Sequence, residues 1–174
     1  MAFHTGVYSL NVPVPGQVGA RAGEIARQLP NARARTRGEH TLGVKRLASD
    51  ASQYSRIEAQ AREALAGQPA FEARIDEIAV FEDPPVGTAP VVYLAVESPG
   101  LLQLHHRLVD SFGSVSDGIE GESYIPHVTV ARGGSLDAAK RVAGEIDPIE
   151  WTVSKLQFWD AKHNQSVSTV SLPA

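Results

Sequence analysis

Apolar and polar residues alternate over residues 6–14, where Val7, Tyr8, Leu10, Val12 and Val14 mark the period and Pro13 and Pro15 close the run. A period of two predicts a half-buried strand near a sheet edge. The spacing then lengthens. Val18, Ala22, Ile25, Ala26 and Leu29 recur as on one face of a helix, which Pro30 and Asn31 end. Residues 39–47 return as a strand, Ser49 and Asp50 open a second helix that runs to about Leu65, and residues 71–81 form the next strand.

Pro84, Pro85 and Gly87 make a turn, and PVVYLAV at 90–96 is a near-continuous apolar run of the length of a buried strand. A second cycle starts there. Leu101, Leu102, Leu104, Leu108 and Val109 form a helical stripe, 113–123 is a polar, glycine-rich loop, and 124–131 alternates again. A short helix over about 136–146 follows. Residues 149–159 and 166–172 read as a terminal antiparallel pair around a turn at 161–164. The two halves thus share one plan of strand, helix, strand, helix, strand, with His40 and His127 on corresponding elements.

Composition narrows the chemistry. The 174 residues are 43% hydrophobic, enough for one cored domain spanning 1–174, and the absence of cysteine excludes disulfides, thiolate zinc sites and a cysteine nucleophile. No cationic leader followed by an apolar run opens the sequence, and no uncharged stretch approaches the ~18 residues of a membrane span. A cytoplasmic protein without a membrane partner is expected. A formal charge of −4 argues against sequence-independent binding of duplex DNA, so any nucleic-acid contact is expected to be local. Basic residues nevertheless gather around His40, with Arg33, Arg35 and Arg37 before it and Lys45 and Arg46 after it.

The strongest motif is Tyr124-Ile-Pro-His-Val-Thr-Val-Ala-Arg132. Alternation presents His127 and Thr129 together on one side of the strand, with Val128 and Val130 on the other. PHVTVAR resembles the second signature of the two-histidine phosphoesterase superfamily, which includes the 2'-5' RNA ligase-like proteins and whose members carry two histidine, any residue, threonine or serine signatures. The resemblance implies an α/β (α+β) bilobal fold: two pseudo-repeated lobes of mainly antiparallel sheet with flanking helices, and one signature on the inner strand of each lobe.

By that resemblance the first signature lies some 80 to 90 residues upstream, where Glu39-His-Thr-Leu-Gly-Val-Lys45 stands. Threonine directly follows the histidine, one place early. In a regular strand Thr41 would face away from His40, whereas a β-bulge could turn it towards the cleft. A third register matches Glu39 and Thr41 to the signature and puts a carboxylate in place of the imidazole. His40 is the preferred catalytic residue on the sequence alone, and Thr41 stays open.

The resemblance then implies a metal-independent phosphodiesterase acting on a 2',3'-cyclic phosphate or 2'-5' linkage of RNA or a small nucleotide, with ligation as the reverse reaction. His40 and His127 would serve as the acid-base pair and Thr129 as a catalytic hydroxyl. Thr41, Lys45, Tyr124 and Arg132 would bind substrate, Lys45 and Arg132 each standing five residues past a histidine. No phosphate-binding glycine loop, dinucleotide fingerprint or metal-ligand pattern is present, so no cofactor and no metal is expected. His105 and His106, adjacent on a helix, point about 100° apart and read as structural. The competing reading is a noncatalytic RNA- or nucleotide-binding module whose first motif is degenerate.

Overall fold

The computed structural model describes residues 8–36, 39–47, 51–115 and 118–174. Predicted features at Val7, Arg37, Ser49 and Asp50 lie outside the described residues.

The elements follow the order β1 (Tyr8–Val12), α1 (Gly16–Ala26), β2 (Arg33–Ala34), β3 (Leu42–Leu47), α2 (Tyr54–Ala64), β4 (Phe71–Phe81), β5 (Val91–Glu97), α3 (Pro99–Phe112), β6 (His127–Arg132), α4 (Leu136–Val142), β7 (Gly144–Val153), β8 (Lys155–Asp160) and β9 (Gln165–Ser171). Short 3-10 turns occupy Ala51–Gln53 and Gly121–Ser123. No helix among the described residues is long and apolar enough to cross a membrane.

The strands form one antiparallel path in the order β7-β4-β5-β6-β3-β1-β8-β9, with β2 pairing beside β6. Its middle is narrow. β6 and β3 share a single residue pair, Leu42 with Val128, so the path consists of two half-sheets, β6-β5-β4-β7 and β3-β1-β8-β9. The strand order within each is equivalent, as the sequence repeat predicts, but membership is exchanged. β4, from the first half of the chain, hairpins onto β5, and the C-terminal hairpin of β8 and β9 completes the half-sheet of β1.

That exchange corrects the single strand expected over 149–159. Residues up to Val153 pair with β4, whereas residues from Lys155 belong to the half-sheet of β1, so the run divides at Ser154 between the two. The helix expected to reach residue 146 ends at Val142, because Gly144 takes a positive φ of 142° and starts β7.

Helices cover one face. α1 buries Val18, Ala22 and Ile25 and packs on β6, while α3 buries Leu101, Leu104, His105 and Leu108 and packs on β3 and β4. The start of α3 is fixed by Ser98, whose Oγ accepts the Leu101 N–H at 3.2 Å, and by Pro99 in the first turn. Leu10, Leu42, Leu94, Val128, Val130, Leu156 and Phe158, all fully buried, tie both half-sheets to this core.

Candidate active site

Antiparallel partners project to the same side of a sheet, so the Leu42–Val128 pair sets the orientation of both motifs. Leu42 and Val128 are each 0% exposed and point into the helix-covered core. One step along either strand lies the other face. Thr41 therefore falls on the side of His127 and Thr129, and all three line a cleft of about 750 Å³.

The same alternation carries His40 to the core side. Its ring packs on α1, where a Cβ on Gly19 would lie 3.4 Å from Nδ1, and that nitrogen is buried with no hydrogen-bond partner among the described residues. Burial, followed by the charge of Arg35, holds its pKa below the ordinary imidazole value. His40 is not among the described residues that line the cleft with His127. Glu39 is half-buried and is not a lining residue either.

A bulge does exist in this strand, three residues further on. Leu10 pairs with Lys45 and Asn11 with Gly43, leaving Val44 as the extra residue of β3. Beyond the bulge two cations reach the cleft, one buried and one exposed. Past it, Lys45 turns inward, its side chain fully buried, and its Nζ donates to Glu120 Oε1 at 2.9 Å and to the Arg46 carbonyl at 2.7 Å. Lys45 lines the cleft with its charge committed to a buried ion pair. Arg46, exposed, takes the cleft side.

Glu120 is held from three directions, accepting also from the Arg46 and Val115 N–H groups at 3.0 and 2.7 Å. Burial pushes its pKa up, but the hydrogen bonds from Lys45, Val115 and Arg46 outweigh this and leave it below the usual carboxylate value. His105 braces the same corner. Its Nδ1–H donates to the Val44 carbonyl at the bulge (2.7 Å), and its Nε2 accepts the Gly121 N–H (2.9 Å). A ring with one donor and one acceptor satisfied is neutral, and burial accordingly lowers its pKa. Tyr124 stacks on it at 3.8 Å and donates its hydroxyl to the Gly43 carbonyl at 2.7 Å. Tyr124 therefore forms part of the wall with one ring face and its hydroxyl already engaged.

His127 is prepared differently. Its Nδ1–H donates to the Ile125 carbonyl at 2.7 Å, which fixes the tautomer and leaves Nε2 as the basic nitrogen. Its ring stands edge-on to Phe81 and Tyr93 at 5.4 and 5.6 Å. Burial lowers its pKa, the bond to Ile125 opposes this, and the charges of Arg132, Arg35 and Arg46 lower it further. Arg132 donates to the Val86 carbonyl at 2.9 Å and faces the cleft from the end of β6.

The opposite wall had no motif to announce it. Ser9 and Asn11 of β1, Trp159 of β8 and Asn164 of the following turn line it, brought there by the pairing of β8 with β1. Arg35 also reaches the cleft because its own N–H donates to the Val130 carbonyl at 3.1 Å and so extends β2 along β6. Among the described residues no group of three or more histidine and acidic side chains is arranged to hold a metal.

A family model for the 2'-5' RNA ligase superfamily matches residues 42–165, and the chain belongs to that superfamily. Its structure resembles E. coli LigT complexed with NADP+ (TM-score 0.68, 17% identity, 99% of this chain and 100% of that one). It also resembles E. coli LigT complexed with 3'-AMP (0.65, 18%, 96% and 98%) and a Thermus thermophilus protein (0.64, 20%, 95% and 94%). No curated protein sequence matches the chain. The fold is that of LigT and related two-histidine phosphoesterases.

Proposed function

We propose that the chain is a metal-independent phosphodiesterase that opens a 2',3'-cyclic phosphate, or cleaves a 2'-5' linkage, of RNA or a small nucleotide, as one bilobal unit over residues 1–174. The observation that carries this reading is His127: Nδ1 tied to a carbonyl, Nε2 left basic, beside two hydroxyls and an arginine in one cleft. His127 removes the proton of the attacking water. Thr41, Thr129 and Arg132 hold the non-bridging oxygens as charge moves onto them. With a ribose 5'-hydroxyl attacking in place of water, the same groups open the cyclic phosphate and form a 2'-5' linkage.

With His40 behind the sheet, the chemistry rests on one imidazole; the cleft's positive charge stabilises the departing ribose oxygen, which takes its proton from water, and His127 returns the proton it accepted to solvent. One well-placed general base is worth about 10² to 10⁴ in rate. The bound 3'-AMP, ATP and NADP+ of the E. coli LigT structures support a nucleotide as the occupant. The test is incubation of wild type and His127→Ala with nucleoside 2',3'-cyclic phosphates and 2'-5' dinucleotides in excess chelator, with product linkage identified. Turnover by wild type that the variant loses supports the reading, and loss of activity on chelation sinks its metal-free part.

The position of His40 favours a second reading, a noncatalytic nucleotide-binding module. It predicts that wild type and His127→Ala bind a short RNA alike and that neither turns it over.

A further inference from the structure

Among the described residues, Arg35, Lys45, Arg46 and Arg132 line the cleft together with one acid, Glu120. Glu120 is neutralised by the buried Lys45, and the bond to Ile125 leaves Nε2 of His127 unprotonated. The occupant therefore meets about three positive charges, whereas a cyclic phosphate or an internucleotide diester carries one negative charge. Of these, the reaction assigned above places only Arg132 on the oxygens of the reacting phosphate.

The other two are placed by their backbones and unspent at their side chains. Arg35 is pinned through its N–H to Val130 and Arg46 through its N–H to Glu120, yet neither guanidinium makes an ion pair or hydrogen bond to a described residue. They approach from different half-sheets, Arg35 beside β6 and Arg46 from β3. Both are exposed, and both lie close enough to His127 and Arg132 for their charges to act on those groups, so an anion beside the reacting phosphate meets their combined field. The cleft is the size of one compact ligand, with Phe81, Val86 and Ile125 on one side and Trp159 on the other. The extra negative charge must then sit on the same nucleotide.

We propose that Arg35 and Arg46 form a subsite for a second phosphate, so that the preferred substrate is a small nucleotide bearing a phosphomonoester or pyrophosphate in addition to the phosphate held by Arg132, Thr41 and Thr129. This rests on the phosphate site proposed above. Arginine suits the role because its planar fork binds phosphate oxygens bidentately.

Calorimetric titration at fixed salt with adenosine 3'-monophosphate, adenosine 3',5'-bisphosphate and a dinucleotide ending in a 3'-phosphate separates the possibilities. The bisphosphate is expected to bind wild type about ten-fold or more tighter than the monophosphate. The advantage should fall to within about three-fold in R35Q/R46Q and persist in R35K/R46K, which keeps the charge. Equal binding of the two mononucleotides by wild type overturns the proposal, whether or not the variants fold, and so does an advantage that survives R35Q/R46Q. A dinucleotide that matches the bisphosphate assigns the subsite to an RNA strand and overturns the small-nucleotide claim. If none of the ligands binds, the phosphate site itself fails and this subsite with it.

Discussion

Leu42 and Val128 form the one residue pair that joins β3 to β6, and their shared burial decides which side chains of both motifs enter the cleft. Thr41, His127 and Thr129 follow from that parity, and so does the exclusion of His40. The functional consequence is that the two threonines are comparable. Thr41→Val and Thr129→Ala are each expected to lower kcat/KM, by up to about 10² for a lost oxyanion donor, with little change in Tm. Steady-state hydrolysis of a cyclic nucleotide checks this, and a Thr41→Val variant with wild-type kinetics would remove Thr41 from the site.

The pH dependence of activity follows from His127. Burial first, and then the three arginines, hold its pKa below the ordinary value of about 6.5, so its basic form persists into mildly acidic solution. The acid limb of the kcat/KM profile is expected below that value. Removing a neighbouring cation favours protonation, so Arg132→Gln should shift the limb upward. A limb that stays in place, or moves down, contradicts the electrostatic account.

Stability should fall on mild acidification for a related reason. His40, His105 and His127 all have folded pKa values below the ordinary one, so the unfolded chain binds more protons than the folded chain as the pH drops through about 6.5 and below. Their contribution is complete above the unfolded pKa and is lost as the pH falls. Urea unfolding at pH 7.5 and pH 5.5 should show the decrease. His105→Gln, which removes one of the titrating groups, should show a smaller one.

Lys45 and Glu120 give a prediction about the fold rather than the chemistry. Replacing Lys45 with Met leaves Glu120 buried with its charge unpaired, and breaking a buried pair in this way costs about 3 to 5 kcal/mol. Lys45→Met combined with Glu120→Gln should recover part of the loss. Thermal unfolding of the single and double variants measures it, and an unchanged Tm for Lys45→Met would mean that the pair does not anchor the 118–124 segment to β3.

Much of this arrangement was legible in the sequence. Alternation in HVTVAR places His127 and Thr129 together, and the repeated order of elements anticipates two equivalent half-sheets. The exchange of β4 for β8 between them was not legible, because strand pairing is a long-range choice that neither run announces locally. The first motif failed for a related reason. Its two candidate registers differ by one residue, which reverses every side chain, and the arbiter is the packing of Leu42 against Val128, whose partner lies on a distant strand. The bulge at Val44 adds Arg46 to the cleft beside Lys45, whose charge is held by Glu120. No sequence signal singles out Glu120 as the partner of Lys45, since Asp117 and Glu122 share the same loop.

The central claim is that one imidazole, His127, works in the cleft while His40 packs behind it. The direct test is hydrolysis of a nucleoside 2',3'-cyclic phosphate, in excess chelator, by His127→Ala and His40→Ala compared at equal folded concentration. The account predicts a loss of about 10² to 10⁴ in kcat for His127→Ala and a change of no more than about three-fold for His40→Ala. Equal, large losses in both variants, with a double variant no worse than either, would show that His40 reaches the substrate and would contradict it.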